Sequence, residues 1–230
     1  MPEITEECVR VNGIPKRLVI FLHGYIDTAF SLEKRLEPLF ESLDNVAFHL
    51  PQAPIECEIY EKKRQWFSLH RFDPEDERKT IKSLDDCIKI YDKMKPGVIE
   101  AGEYIQRYIE NCVLQYDIPY ENVFLAGFSQ GGTMAIYLAL MQDEKIGGCI
   151  DFNGVMTPAP YLMEKHISKP DFLLIHGTND NLVRFGLSDF SENNLKKIGC
   201  NVEKIVINEG RHMITPEGMK KTAEFINLRS

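Results

Sequence analysis

Apolar residues fall along this chain in short, nearly unbroken runs separated by longer amphipathic stretches. The runs are residues 18–22, 46–50, 123–126, 146–152, 172–175 and 202–207. Most close on a turn-forming or polar string: His23-Gly24, Pro51, Gly127, His176-Gly177. A strand with one wet face alternates apolar and polar positions, whereas a strand covered on both faces need not. The runs therefore predict the strands of a buried, mostly parallel sheet. Between them, residues 99–114 set Ile105, Tyr108, Ile109 and Cys112 on one helical face. Residues 130–141 carry Met134, Ile136, Tyr137, Leu138 and Leu140. Residues 185–197 and 217–228 complete the helical set, the last opened by Thr215-Pro216. Strands alternating with helices give an α/β fold with helices on both faces of the sheet. Residues 4–14 are expected to add antiparallel edge strands.

One stretch breaks the alternation. Residues 52–96 are long, polar and charged, with Trp66-Phe67 embedded among them. The string Glu75-Asp76-Glu77-Arg78-Lys79 reads as a solvated surface. Long insertions near strand ends often cover active sites, so this one is expected to form a lid or rim.

The chain has 230 residues, a normal length for one α/β domain, and residues 1–230 are read as a single domain. Its formal net charge of -8 opposes binding to phosphate backbones, which argues against nucleic acid as a partner. Six cysteines are scattered without a C-x-x-C pair, so neither a metal site nor a disulfide framework is expected. They fit reduced thiols in a cytoplasmic protein. The acidic N-terminus lacks the apolar core of a signal peptide, and no apolar run is long enough to span a bilayer.

Candidate chemistry begins at Gly127-Phe128-Ser129-Gln130-Gly131-Gly132, which matches G-x-S-x-G. A predicted strand precedes it and a predicted helix follows, the setting a nucleophile elbow requires. Ser129 would sit on a sharp turn at a helix N-terminus, where peptide dipoles favour developing negative charge. A phosphate-binding loop is the competing reading, but neither G-x-G-x-x-G nor G-K-[ST] spacing is present.

A serine hydroxyl needs a base to take its proton, and in this topology the chain order is Ser, acid, His. His166, His176 and His212 lie downstream of Ser129. Only His212 stands in a loop between the last predicted strand and the last helix, where the base belongs. Asp180 follows the strand at residues 172–175 across Gly177-Thr178-Asn179 and is the expected acid. The competing reading is an Asx turn in Asn179-Asp180-Asn181. Asp151 is the reserve candidate. The oxyanion hole calls for two backbone N–H donors, one from Gln130 and one from the His23-Gly24-Tyr25 loop.

These residues resemble the phospholipase/carboxylesterase family of α/β-hydrolases, which includes the acyl-protein thioesterases. The matching pieces are Phe21-Leu22-His23-Gly24 with Asp27, Pro51-Gln52-Ala53-Pro54, Trp66-Phe67, the Gly127–Gly132 string, His176-Gly177 with Asp180 and Val183, and Gly210 with His212. They run in the family's order from about residue 17 to the C-terminus. The resemblance implies an α/β-hydrolase fold, a Ser129–Asp180–His212 triad, and Tyr25 and Gln130 amides as the oxyanion hole. It implies hydrolysis of carboxylic esters or acyl thioesters without metal or cofactor, and weak homodimers that cover the site. Substrates would be small esters, lysophospholipids or acylated proteins. The sequence departs from the family at Tyr25 and Ile26, where Leu-Gly is usual, at Ser68, at Arg184, and at Phe152-Asn153-Gly154-Val155.

Trp66, Met156 and Leu182 are the candidate substrate-binding residues, each weighed against a packing role. Two rivals to a carboxylesterase or thioesterase remain: a lysophospholipase, and a catalytically silent binding module on the same fold. A nucleotide-binding α/β protein is disfavoured by the missing phosphate loop.

Overall fold

The structure is a computed structural model and describes residues 2–72 and 81–229. Its frame is a seven-stranded sheet in the order β1-β3-β2-β6-β7-β8-β9. The strands are β1 (Glu7–Asn12), β2 (Arg17–Leu22), β3 (Val46–Pro51), β6 (Val123–Phe128), β7 (Gly148–Phe152), β8 (Phe172–Gly177) and β9 (Val202–Ile207). All neighbours are parallel except β1, which runs antiparallel to β3. The expected edge strands at residues 4–14 are thus one strand. The run at residues 146–152 enters the sheet at Gly148, just after Gly147 N–H meets the Val123 carbonyl at the start of β6 at 2.9 Å.

The unbroken apolar runs follow from cover on both faces. Along β2, Leu18, Ile20 and Leu22 join one core while Val19 and Phe21 join the other. The first core is filled by the long helix α4 (Lys95–Tyr116) and by α5 (Gln130–Met141). The second lies under α1 (Ala29–Glu41) and α8 (Pro216–Asn227). Helix α5 is apolar almost all round and nearly every residue in it is buried, so it crosses the interior directly behind Ser129.

Residues 52–96 carry more structure than their polarity suggests. Strands β4 (Ile55–Glu56) and β5 (Arg64–Gln65) pair as a small antiparallel ribbon, followed by α2 (Leu69–Phe72). Helix α3 (Leu84–Lys93) opens on a capping box in which Ser83 and Asp86 satisfy each other's backbone N–H groups. The acidic string at Glu75–Lys79 lies outside the described residues. The remaining helices are α6 (Ala159–Lys165) and α7 (Gly186–Lys197). All six cysteines are buried free thiols. Among the described residues no helix is long and apolar enough to cross a membrane.

This topology brings the loops after β2, β6, β7, β8 and β9 to the carboxyl edge of one parallel sheet, where ligands of open α/β sheets bind.

Candidate active site

Ser129 stands between β6 and α5 with φ 56° and ψ -116°, a conformation that side-chain-bearing residues rarely adopt. Crowding enforces the turn. A Cβ on Gly127 would lie 2.1 Å from the Gly131 carbonyl oxygen, and one on Gly131 would lie 2.1 Å from that of Leu22. The elbow is thereby pressed onto β2, with no space for larger residues. Ser129 N–H donates to the Phe152 carbonyl at 2.8 Å, which ties the turn to the end of β7. The Gln130 side chain ties it to the insertion as well. Its Oε1 accepts from Trp66 N–H and its Nε2 donates to the Phe67 carbonyl, both at 2.9 Å.

Asp180 and His212 come together because the loops after β8 and β9 touch. A Cβ on Gly177 would meet the Gly210 carbonyl oxygen at 2.2 Å, and Asn179 N–H donates to that oxygen at 2.9 Å. The two oxygens of Asp180 then divide their work. Oδ1 accepts from the Leu182 and Val183 amides, each at 2.8 Å, which is the Asx turn foreseen as the alternative. Oδ2 accepts from His212 Nδ1 at 2.7 Å and from Asn153 Nδ2 at 2.8 Å, with His176 Nε2 at 3.4 Å. The turn and the acid position are therefore compatible. Burial opposes ionisation of Asp180, but hydrogen bonds from His176, His212 and the Val183 amide outweigh it. They hold the carboxyl well below the usual carboxylate range.

An ionised carboxylate only accepts, so His212 Nδ1 carries the proton and its Nε2 is left with a lone pair. The His212 ring lies 4.8 Å from that of Phe128, the residue before Ser129. The other downstream histidines are engaged elsewhere. His166 Nδ1 is at 3.0 Å from the Leu162 carbonyl, and His176 Nε2 donates to the Val183 carbonyl at 2.9 Å. The reserve acid, Asp151, is buried behind the elbow and accepts from Gly154 N–H at 2.8 Å. Burial pushes its carboxyl up to about 7, unlike the ionised group a triad needs.

The loop after β2 is fixed by His23, which is fully buried. Ala53 N–H donates to His23 Nε2 at 3.0 Å, so Nδ1 must carry the ring proton, and it donates to the Gly24 carbonyl at 2.8 Å. A trans peptide sets its C=O and N–H on opposite sides, so anchoring this carbonyl turns Tyr25 N–H away from His23. Burial pushes the His23 pKa down to about 4, which keeps the ring neutral in this role. Neither this role of His23 nor the Asn153 contact with the acid is legible in the local sequence.

The three candidate substrate residues separate. Trp66 is fully buried; its Nε1 donates to the His23 carbonyl at 2.7 Å and its own carbonyl accepts from Tyr104. It is a strut under the His23 loop rather than an open pocket wall. Met156 is likewise enclosed in the core, its N–H held by Ser191 Oγ at 2.8 Å. Both sit deeper than a groove-lining residue would: Trp66 is held between the His23 loop and Tyr104, and Met156 is tied to α7 through Ser191. Leu182 alone is exposed, at 64%, beside the acid turn. Ile26 and Met213, next to Tyr25 and His212, are also exposed apolar side chains. Among the described residues no cluster of His, Cys, Asp and Glu has the makings of a metal site.

The sequence model of the phospholipase/carboxylesterase family matches residues 5–230. Acyl-protein thioesterase 1 homolog 2 of Dictyostelium discoideum is 30% identical over 198 residues, spanning 82% of this chain and 81% of that protein. Carboxylesterase SOBER1 of Arabidopsis thaliana is 25% identical over 222 residues, covering 93% and 91%. Among solved structures, esterase PE8 superposes with a TM-score of 0.83 over 99% of this chain and 100% of that one, at 24% identity. That likeness establishes the α/β-hydrolase fold. On the match of nearly its whole length, the chain belongs to the phospholipase/carboxylesterase family of hydrolases.

Proposed function

We propose that this chain is a serine hydrolase that cleaves carboxylic esters or acyl thioesters through an acyl-enzyme on Ser129. The observation that carries the reading is the 2.7 Å contact between His212 Nδ1 and Asp180 Oδ2. It fixes the tautomer with a basic Nε2, and the same ring lies against the residue preceding Ser129. In the reaction His212 Nε2 takes the Ser129 proton as Oγ attacks the acyl carbonyl. Asp180, held ionised, stabilises the imidazolium that results. The Tyr25 and Gln130 amides receive the oxyanion; losing one such donor typically costs about 3–4 kcal/mol in the transition state. His212 then protonates the leaving alcohol or thiol, and water activated by the same ring releases the acid. Amides, with their poorer leaving group, should react slowly.

The exposed apolar side chains of Ile26, Leu182 and Met213 border residues of this machinery and favour an acyl chain at its mouth. Relatives named acyl-protein thioesterase and carboxylesterase support both leaving-group classes. The test is p-nitrophenyl ester hydrolysis from acetate to palmitate, with a palmitoyl thioester and a lysophospholipid alongside. Wild-type turnover that falls at least ~10³-fold in Ser129→Ala supports the reading. Absence of turnover on every substrate favours a silent binding module.

A further inference from the structure

Asn153 directly follows β7, outside both the acid loop and the base loop, yet reaches the acid. Its Nδ2 lies 2.8 Å from Asp180 Oδ2, the same oxygen that His212 Nδ1 approaches to 2.7 Å. A carboxylate offers no proton, so the group facing it must be the amide NH2. Asn153 is 1% exposed and has a left-handed φ of 56°, and its own N–H is pinned to the Ile175 carbonyl at 3.0 Å. The preceding residue, Phe152, holds the Ser129 amide through its carbonyl. One two-residue segment therefore grips the nucleophile turn with one residue and the acid with the next.

We infer that Asn153 is a positioning residue: its amide fixes the rotation of the Asp180 carboxylate so that Oδ2 faces His212. This inference rests on the serine-hydrolase reading above. The Leu182 and Val183 amides reach only Oδ1. Rotation about Cβ–Cγ carries both oxygens together, so the Asn153 bond to Oδ2 clamps the same rotation from the opposite side. His176 Nε2 is a weak second restraint, since it is 3.4 Å from Oδ2 and already donates to the Val183 carbonyl. Asn153 is the close, buried donor that aims Oδ2 independently of His212.

Two variants respect the left-handed backbone, where Gly and Asp are tolerated and a β-branched residue is not. Asn153→Gly removes the donor, and Asn153→Asp keeps the shape but replaces the donor with an acceptor. Misaiming a catalytic group by about 1 Å can cost about 10²-fold. Asn153→Gly is expected to lower kcat on p-nitrophenyl butyrate by about 10- to 100-fold with KM within about twofold, and Asn153→Asp by more. Because the effect runs through Asp180, Asn153→Gly should cost little further in an Asp180→Ala background, where single losses would multiply if independent. The ring 15N shifts of His212 should move toward a mixture of tautomers in Asn153→Gly, a readout that needs no turnover. Unchanged kcat and unchanged His212 shifts, or a fully multiplicative loss in the double variant, overturn the inference. An inactive wild type beside altered His212 shifts would instead fault the hydrolase reading and leave the positioning role standing.

Discussion

Replacing Asp180 by Asn separates the catalytic role proposed for this residue from its role in the fold. The amide keeps an oxygen that can still accept from the Leu182 and Val183 amides, so the turn survives. The other side changes from an acceptor into an NH2 facing three donors: His212 Nδ1, Asn153 Nδ2 and His176 Nε2. Each has an escape. Asn153 can turn its amide over, and His176 keeps the Val183 carbonyl. His212 can move its proton to Nε2 and accept at Nδ1. What is lost is charge-assisted bonding, worth about 1.5–3 kcal/mol per bond before such rearrangement. A net destabilisation of about 1–3 kcal/mol follows, or roughly 2–12 °C in Tm for a domain of this size. Catalysis has no escape, because the proton now sits on the nitrogen that must accept from Ser129. In a Ser-His-Asp protease triad the same substitution costs about 10⁴-fold in kcat, equivalent to about 5.5 kcal/mol of barrier. Measured by p-nitrophenyl butyrate hydrolysis beside differential scanning fluorimetry, Asp180→Asn should be nearly inactive yet cooperatively folded. Activity within about tenfold of wild type would refute the assignment of the acid.

His23→Phe keeps the ring that packs 5.1 Å from Trp66 but removes both hydrogen bonds that orient the Gly24–Tyr25 peptide; kcat should fall about 10- to 10³-fold, measured as kcat and KM on the same ester. Unchanged kcat would detach His23 from the oxyanion loop. His23 also titrates with folding. Its folded pKa is depressed from 6.5 to about 4, so the unfolded chain binds the extra proton in that window, and its contribution is present above 6.5 and lost as pH falls toward 4. Asp151 works in the opposite sense. Its folded pKa is raised from 3.8 to about 7, so its contribution is present below 3.8 and lost as pH rises through 7. Asp151→Asn keeps the oxygen that accepts from Gly154 and should be more stable than wild type in denaturant titrations at pH 8, with the difference shrinking at pH 5. A variant equally destabilised at both values would contradict a neutral buried carboxyl.

The parallel sheet and its long helices were legible because burial on both faces leaves unbroken apolar runs, as at β2 and β8. Helix α1 is not legible in the sequence: Pro38, a residue that argues against a helix interior, stands inside it, and charged residues crowd its outer face, so its apolar stripe of Leu32, Leu36 and Leu39 is thin. The insertion concealed α3 for a similar reason, although its capping box at Ser83 and Asp86 could have been found. The proposed triad of Ser129, Asp180 and His212 is read from chain order and strand ends, and the structure sets His212 Nδ1 2.7 Å from Asp180 Oδ2. The roles of Asn153 and His23 were not legible, since their partners lie 27 and 30 residues away and only the register of the sheet brings them together. Trp66 belongs to the family resemblance and Met156 is proposed from its place just past a strand, but the depth of each depends on long-range packing, which local sequence does not encode.

The most direct test of the central claim is reaction of the native protein with a fluorophosphonate probe, followed by peptide mapping. The account predicts one adduct per chain, on Ser129, absent in Ser129→Ala and strongly slowed in His212→Ala. Labelling at another residue, or none under conditions where the protein is folded, would contradict it.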